Sequence, residues 1–262
     1  MPQQAKIYFA SDIHLGTPDA VTSAARERLF VQWLSEAKAD AQEVFIVGDV
    51  FDFWHEYDTV VPKGHVRLLG KLAELTDAGI AVHVFTGNHD LWMFGYLESE
   101  IGVKVHRKPV RREFGGKQFF IGHGDGLGPG DHGYKFIKKV FNNPLCQWAF
   151  RWLHPDVGTK LAMYLSRKSR YGNEGKHELE KFNGEEKEWL VQYSKRVLER
   201  TGHIDYFIFG HRHLPLDIKL NEQSRYINLG DWLDYNSYAV FDGEDLELKY
   251  YGKEKLGDRQ KI

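Results

Sequence analysis

The sequence holds a single cysteine, Cys146, among its 262 residues. One cysteine excludes an internal disulfide and suits a reducing compartment. The chain also lacks any apolar run of about 18 residues, so we expect no segment to cross a membrane. Its first residues, MPQQAKIYFASDIHLG, lack the charged region and the apolar core of a signal peptide, and we therefore expect a cytoplasmic protein.

A large excess of charge of either sign is missing too. The 35 Lys and Arg against 37 Asp and Glu give a formal net charge of -2, which argues against a surface built to bind nucleic acid. The length allows one large domain or two small ones with a full core. What the chain does have is thirteen histidines, many of them close to glycine or aspartate.

Five short apolar runs end at polar clusters, as buried strands do when they lead to a binding edge. The runs with their clusters are KIYFA–SDIHLG, EVFIV–GDVFDFWHE, IAVHVF–TGNHD, KQFFI–GHGDG and IDYFIF–GHRHLP. Helix-like segments, roughly 20–38 and 63–78, separate the first three runs. This alternation predicts an α/β fold with βαβ units, in which ligands bind at the carboxyl ends of the strands. After His211, short alternating segments predict an antiparallel group that closes the fold.

The segment between His123 and His211 is more than twice as long as the other steps between clusters. Its middle is helix-like and rich in aromatic residues. From 134 to 173 it carries eight Lys and Arg against one acidic residue, Asp156. We therefore predict a single domain over 1–262 with a helical cap inserted at 131–200.

The five clusters bring together carboxylates, one amide and several imidazoles. They read Asp12-x-His14, Gly48-Asp49-x-x-Asp52, Gly87-Asn88-His89-Asp90, Gly122-His123-Gly124-Asp125 and Gly210-His211-x-His213. Oxygen and imidazole ligands without thiolate suit divalent ions such as Mn²⁺, Fe²⁺ or Zn²⁺. So many ligands exceed the needs of one tetrahedral ion and fit two ions that share a carboxylate. A lone histidine beside glycine is usually a turn residue, but five clusters in this order are not explained that way.

The series D-x-H, GDxxD, GNHD, GH and GHxH resembles the calcineurin-like metallophosphoesterase superfamily in order and spacing. The resemblance implies a four-layer α/β/β/α sandwich with a dinuclear metal site. It implies that the first ion is bound by Asp12, His14, Asp49 and His213. The second ion would be bound by the bridging Asp49 together with Asn88, His123 and His211. The expected ions are two Mn²⁺, with Fe or Zn as alternatives.

His89 follows the ligand Asn88 but does not belong to the implied ligand set. In the superfamily such a histidine pairs with the second aspartate of GDxxD, here Asp52, and can serve as a general acid for the leaving group. The alternatives are a turn histidine bonded to backbone and a simple turn carboxylate. We expect Asp90 to cap a helix that begins at LWMFGYLE. Asp125 could orient a ligand histidine.

Three features are similar to the bacterial UDP-2,3-diacylglucosamine pyrophosphatase family of lipid A biosynthesis. They are the stretches GDVFDFW, HGDGLGPGDHGYKF and YINLGDWLDYNSYAVF, the chain length, and the helical insertion between the fourth and fifth motifs. The resemblance implies hydrolysis of this nucleotide-sugar lipid to UMP and 2,3-diacylglucosamine 1-phosphate. A basic, aromatic cap suits that substrate and also peripheral contact with the inner membrane. The candidate substrate contacts are Asp131, Tyr134, Ser166 and Arg170.

The sequence departs from that family at His89, Asp52 and Arg212, where many members carry Arg, Glu and Thr. A general phosphodiesterase or nucleotide pyrophosphatase with another substrate therefore stays open as the alternative function. A third hypothesis is a metal-binding scaffold without catalysis. Such a protein would be expected to lose ligands or the histidine of GNHD, and this chain keeps them all. No feature of the sequence predicts an oligomeric state.

Overall fold

The computed structural model of the chain describes residues 5–128, 132–173 and 181–252, and within 132–134 and 167–173 it describes the backbone only. In chain order the elements are β1 (Lys6–Ala10), α1 (Ala20–Ala37), β2 (Ala41–Val47), α2 (Val66–Asp77), β3 (Ala81–Phe85), α3 (Tyr96–Ile101), β4 (Lys104–His106), β5 (Val110–Phe114), β6 (Lys117–Ile121), α4 (His132–Phe141), α5 (Pro144–Arg151), α6 (Pro155–Asn173), α7 (Trp189–Thr201), β7 (Tyr206–Phe209), β8 (Pro215–Lys219), β9 (Arg225–Leu229), β10 (Ser237–Phe241) and β11 (Leu246–Tyr250).

The strands form two sheets. The first sheet has the order β11-β10-β1-β2-β3-β4, in which β1 to β4 run parallel, β10 pairs antiparallel with β1, and β11 pairs antiparallel with β10. The second sheet has the order β5-β6-β7-β9-β8, with β6, β7 and β9 parallel and with an antiparallel strand at each edge. The predicted parallel strands are therefore present, divided between two sheets.

Alternation along each strand sends side chains to two different cores. In β1, Phe9 lies between the two sheets, whereas Tyr8 faces the helices outside the first sheet. In β7, Ile208 lies between the sheets and Phe207 packs on the outer side of the second sheet. A strand buried on both faces reads as a continuous apolar run, which is why these segments showed no polar alternation in the sequence.

Helices cover the outer face of each sheet. Helix α1 places Phe30 and Leu34, and α2 places Leu72, in the core outside the first sheet. Helix α7 places Leu190 and Val191 in the core outside the second sheet. The layers are thus helix, sheet, sheet, helix, and the predicted α/β/β/α sandwich is confirmed.

Two local expectations were wrong. The segments after His211 are strands, but they do not form one antiparallel group, since β9 runs parallel to β7 and β10 joins the first sheet. Alternating side chains predict a strand without predicting its neighbour, because pairing depends on distant parts of the chain. The stretch LWMFGYLE does not begin a helix at Leu91, since α3 starts only at Tyr96 after Gly95.

Helices α4, α5 and α6, hereafter the cap helices, fill most of the segment predicted as an inserted cap. Trp92 Nε1 donates to the carbonyl of Phe141 over 2.8 Å, and the ring of Phe150 lies 4.6 Å from that of Trp92. These contacts hold α4 and α5 against the loop after β3. Helix α7, by contrast, belongs to the sandwich layers, and the cap as a unit over 131–200 stays a prediction.

None of the helices in the described ranges has the length and hydropathy that crossing a bilayer requires.

Candidate metal centre

The predicted metal ligands all follow the carboxyl ends of strands. Asp12 and His14 follow β1, Asp49 follows β2 and Asn88 follows β3, all in the first sheet. The remaining three follow β6 and β7 of the second sheet: His123, His211 and His213. Because the parallel strands of each sheet end at one edge, the sandwich gathers seven residues that lie up to two hundred positions apart.

The backbone at this edge is held in the left-handed region. Seven non-glycine residues in the described chain have a positive φ in this range, and five of them are candidate ligands: Asp12 (55°), His14 (47°), Asp49 (51°), His211 (67°) and His213 (52°). A non-glycine residue costs free energy in this conformation, and such strain clusters at functional sites. The strain therefore points to the same residues as the motifs do.

Two glycines allow the loops to approach closely. Gly48 has φ 87°, and a Cβ there would overlap the imidazole of His123. A Cβ at Gly87 would overlap the carboxylate of Asp49. The glycines of the GD and GNHD motifs are thus required by the packing of candidate ligands against backbone.

Asp49 and Asp12 each have one carboxylate oxygen that accepts a hydrogen bond from a backbone N–H and one oxygen that is directed into the centre. Asp49 Oδ1 accepts from the N–H of His89 over 2.9 Å, and Asp12 Oδ2 accepts from the N–H of His211 over 2.9 Å. The free oxygen of Asp49, Oδ2, lies 3.6 Å from His14 Nε2 and 3.3 Å from His123 Nε2. Asp49 therefore stands between the two groups of histidines, where a bridging carboxylate has to stand.

The first group of candidate ligands is Asp12, His14 and His213, whose ligand atoms lie within 4.8 Å of one another. His213 Nδ1 lies 3.2 Å from Asp231 Oδ2, so in the neutral ring Nδ1 carries the proton and Nε2 keeps its lone pair. That Nε2 is 3.2 Å from Asp12 Oδ1, a buried atom with no hydrogen-bond partner among the described residues. Two acceptors so placed require a proton or a cation between them.

The second group is Asp49, His123 and His211, again within 4.8 Å. His123 Nδ1 lies 2.8 Å from the carbonyl of Val47 and donates to it, which turns the lone pair of Nε2 into the site. Asn88 Oδ1 lies 3.2 Å from that Nε2. When His123 is neutral, an imidazole nitrogen, a carboxylate oxygen and an amide oxygen converge here without a donor, so the residues fit a divalent ion.

The electrostatics of the centre show how strongly its groups interact. Burial disfavours a charged imidazole, yet the carboxylate of Asp49 raises the pKa of His123 to about 10, and Asp12 raises the pKa of His213 to about 10. Burial and the neighbouring His123 lower the pKa of His211 to about 4, so this imidazole is neutral at pH 7. Protons thus take the places at His123 and His213 that cations would take.

His89 and Asp52 lie together beside this centre. His89 Nδ1 is 3.2 Å from the carbonyl oxygen of Asp52 and 3.7 Å from its Oδ1, and Oδ1 is also 3.7 Å from His14 Nδ1. His89, with His14 and Asp49, makes a third group within 4.8 Å. Proximity alone therefore does not separate a ligand from a proton donor at His89, and its predicted role stays a prediction.

One predicted substrate contact reaches this pair. Ser166 on α6 has its Oγ 3.0 Å from His89 Nδ1 and 3.3 Å from Asp52 Oδ2. The cap helices thus contribute a hydroxyl directly beside the candidate catalytic residues. Asp131 lies outside the described residues, as do the side chains of Tyr134 and Arg170.

Asp90 does not cap a helix, which corrects the expectation from the sequence. Its Oδ1 accepts from the N–H of Gly87 over 2.7 Å, and its Oδ2 accepts from the N–H groups of Val50 and Phe51 over 2.8 and 3.3 Å. The side chain is fully buried. Asp90 therefore ties the loop that carries Asn88 to the loop that follows Asp49.

Asp125 contacts the cap. Its Oδ2 accepts from the ammonium of Lys138 on α4, and its carbonyl lies 3.3 Å from the same nitrogen. This ion pair joins the loop after β6 to the first cap helix. Its predicted role in orienting a ligand histidine stays a prediction.

Two buried residues outside the five motifs shape the centre. Asp231 orients His213, and the signal for it was the GDW triplet after β9. Arg26 on α1 donates through Nη1 to the carbonyls of Ile13, His14 and Thr17 over 3.2, 2.9 and 3.1 Å. It holds the strained loop that carries His14, and no motif marks it, because it lies in the middle of a helix, away from the clusters that end the strands.

Comparisons with known proteins agree with this geometry. The family model of the calcineurin-like phosphoesterases matches residues 5–215. A protein from Porphyromonas gingivalis named UDP-2,3-diacylglucosamine hydrolase is 39% identical over 255 residues, which cover 94% of this chain and 97% of that one. A protein of the same name from Ectopseudomonas mendocina is 31% identical over 246 residues, 91% of this chain and 95% of that one.

Proposed function

Because the chain belongs to the calcineurin-like phosphoesterase family, we propose that it hydrolyses the pyrophosphate of UDP-2,3-diacylglucosamine. The products are UMP and 2,3-diacylglucosamine 1-phosphate. The observation that supports this choice of substrate is the 39% identity to a UDP-2,3-diacylglucosamine hydrolase along nearly the whole of both chains. The match includes the cap segment as well as the metal motifs, and the cap is where a substrate other than a generic phosphodiester has to be recognised.

Two divalent ions, for which we propose Mn²⁺, fit the two groups of lone pairs. We assign Asp12, His14 and His213 to one ion, Asn88, His123 and His211 to the other, and Asp49 to both. The position of Asp49 Oδ2 between His14 and His123 supports the bridging assignment. Bound there, the ions would supply a hydroxide nucleophile near neutral pH and neutralise charge on the phosphoryl oxygens.

The protein's own groups then act on the leaving phosphate. His89 faces the centre beside His14, with ring centroids 4.9 Å apart, and is partly open to solvent. The carbonyl and the carboxylate of Asp52 lie beside Nδ1 of His89, and we propose that the imidazole held in this way gives a proton to the oxygen that leaves phosphorus. Ser166 fixes Nδ1 from the cap side, leaving Nε2 to face the substrate.

The cap helices are the proposed site for the lipid part and for membrane contact, with Asp131, Tyr134 and Arg170 as proposed substrate contacts. Twelve large apolar side chains on these helices and their connections are exposed: Phe136, Ile137, Val140, Phe141, Leu145, Trp148, Trp152, Leu153, Val157, Leu161, Tyr164 and Leu165. Clusters of exposed apolar side chains mark interaction surfaces. The exposed cations Lys139 and Lys160 lie on the same helices and favour an anionic lipid surface. We therefore propose that the protein is cytoplasmic and docks peripherally on the membrane that holds its substrate.

The decisive experiment compares three substrates on protein stripped of metal and reloaded with Mn²⁺. These are UDP-2,3-diacylglucosamine, an aryl phosphodiester and a dinucleoside polyphosphate. We expect UMP release from the first at a kcat/KM far above that of the others. Equal turnover of a substrate without acyl chains would contradict the proposal and favour a general phosphodiesterase or nucleotide pyrophosphatase. Parallel reloading with Fe²⁺ and Zn²⁺ tests the metal.

A further inference from the structure

The start of helix α7 packs against the loops that carry the second group of candidate ligands. Glu188 is the residue just before the helix, and Trp189 and Leu190 open it. The ring of Trp189 meets that of His211 edge-on, with centroids 5.9 Å apart. Leu190 packs against Gly124 in the loop after β6, so closely that a Cβ there would lie 3.1 Å from its Cδ1. One end of a helix thus contacts both histidine loops of this group.

Arg212 stands between the two histidines of the GHRH motif and forms a two-point ion pair with Glu188. Its Nε donates to Oε2 over 3.0 Å, and its Nη2 donates to Oε1 over 3.1 Å. The side chain of Glu188 is 3% exposed and that of Arg212 is 19% exposed. A bidentate pair of this kind fixes orientation as well as distance. The Glu188–Arg212 pair therefore fixes the backbone of the motif to the start of α7.

The backbone of the motif needs such support, because His211 has a φ of 67°. A non-glycine residue persists in this conformation only where its surroundings hold it there. The residue before it, Gly210, is held from the second sheet, since Asn228 Nδ2 donates to its carbonyl over 2.6 Å. The residue after it is held by the Glu188–Arg212 pair. The strained position is thus fixed on both sides.

The histidines of the centre are oriented by different parts of the chain. His213 lies beside a carboxylate and His123 beside a backbone carbonyl, each through its Nδ1. The ring of His211 is contacted by the indole of Trp189. The orientation of His211 therefore depends on α7, which lies outside all five motifs.

We propose that Glu188, Trp189 and Arg212 are positioning residues that hold His211 for the second ion. A ligand that is already held in place loses less conformational freedom when an ion binds. Since His213 has its own carboxylate partner, the effect falls on the second ion more than on the first. This inference rests on the dinuclear centre of the proposed function.

The test measures Mn²⁺ binding to metal-stripped protein by calorimetry and by electron paramagnetic resonance. Two bridged Mn²⁺ ions give a spin-coupled signal that differs from the signal of a single ion. We expect the wild type to bind two ions, and Glu188→Gln and Trp189→Leu to lower the affinity for one of them by about 10- to 100-fold. At a Mn²⁺ concentration that fills the wild type, the variants should show the signal of a single ion.

Two further variants separate positioning from stability. Removing one partner of a buried ion pair destabilises a fold, so the double variant Glu188→Gln with Arg212→Met removes both charges together. It should fold and still bind the second ion weakly. Asp217→Asn is the matched control, because it breaks the bidentate pair of Asp217 with Arg225 between β8 and β9 of the same sheet. It should leave both affinities unchanged.

A background without the ligand shows whether these residues act through His211. In His211→Ala the second ion binds weakly, and adding Glu188→Gln should not weaken it further, because no imidazole is left to position. An equal fall in both backgrounds would overturn the inference, as would variants that bind both ions like the wild type while their Tm falls. Wild-type protein that binds a single ion would overturn the proposed dinuclear centre, and this inference with it.

Discussion

Asp231 Oδ2 lies 3.2 Å from Nδ1 of His213, so the loop between β9 and β10 positions a candidate ligand that follows β7. The other oxygen of Asp231 accepts from the backbone N–H groups of residues 233, 234 and 235 over 3.1, 2.8 and 3.2 Å. One carboxylate therefore fixes both the turn and the tautomer of His213. A carboxylate behind a ligand histidine raises the basicity of the ring and holds its orientation.

Replacing Asp231 should weaken one ion without unfolding the protein. In Asp231→Asn the amide oxygen can still accept from the turn, but the charge behind His213 is lost. We expect the affinity for one of the two ions to fall by about 10- to 100-fold. Titration of metal-stripped protein with Mn²⁺, followed by calorimetry, measures this, with Asp77→Asn on the surface of α2 as the control. Unchanged affinity at both ions would show that Asp231 serves the turn alone.

The binding of ions should release protons. In the ion-free centre Asp49 and Asp12 raise the pKa values of His123 and His213 to about 10, so both imidazoles are protonated at pH 7. An ion needs the neutral ring, so binding displaces these protons and becomes tighter as pH rises. Calorimetry of Mn²⁺ binding in buffers of different ionisation enthalpy should show release at pH 7. An enthalpy independent of the buffer would contradict this.

The same shifts have a consequence for the stability of the ion-free protein. Both histidines have a folded-state pKa above their ordinary value of about 6.5, so they stabilise the fold fully below pH 6.5. This contribution is lost as pH rises from there towards 10. Reloading with ions should therefore raise Tm more at pH 9 than at pH 7.

Substitution by alanine should have different effects on metal content at His89 and at its neighbour Asn88. His89→Ala should keep the full metal content and lower kcat by on the order of 10² to 10⁴, most for substrates with poor leaving groups. Asn88→Ala should lose affinity for one ion, since its amide oxygen faces His123 Nε2 at 3.2 Å. Metal content is read by elemental analysis and kcat with a series of aryl phosphodiesters. Loss of metal in His89→Ala would make His89 a ligand.

The strands and their polar ends could be predicted because both are local features of the sequence. Helices α1 and α2 begin and end close to the predicted 20–38 and 63–78. The roles of Asp90 and Asp231 could not be predicted in this way. Asp90 binds N–H groups some forty residues away, and Asp231 meets a histidine eighteen residues earlier only because β7 and β9 pair. Local patterns favour a helix cap or a turn, and tertiary packing decides otherwise.

The cap shows a second limit of the sequence. The sequence predicts its helical character and its positive charge. An amphipathic pattern does not tell, however, whether the apolar face is buried or exposed. In the structure Phe150 packs on Trp92 and His55, whereas Trp148 and Trp152 of the same segment are 60% and 74% exposed. The division between an inner and an outer face depends on how the helices sit on the sandwich loops.

That outer face gives a prediction about membranes. Trp148 lies on α5 and Trp152 directly after it, with ring centroids 6.1 Å apart, and Leu145 precedes Trp148 by about one turn. We expect the protein to sediment with vesicles of phosphatidylethanolamine and phosphatidylglycerol. Trp148→Ser with Trp152→Ser should lower the partition coefficient by roughly 10-fold or more, since each ring loses the free energy of apolar burial. Salt should weaken binding further, because lysines contribute to it.

The matched control for the tryptophans is Val66→Ser, which removes an apolar side chain, 73% exposed, from α2. It should leave vesicle binding unchanged. Hydrolysis assays with two substrates distinguish a role in surface contact from a role in catalysis. The double variant should cleave an aryl phosphodiester at the wild-type rate. It should show a raised KM only for lipid substrate presented in vesicles. If the double variant binds vesicles as the wild type does, the exposed tryptophans do not dock the protein on a membrane. A fall in both activities would place them in the substrate site, because the loss would then follow the chemistry and not the lipid surface.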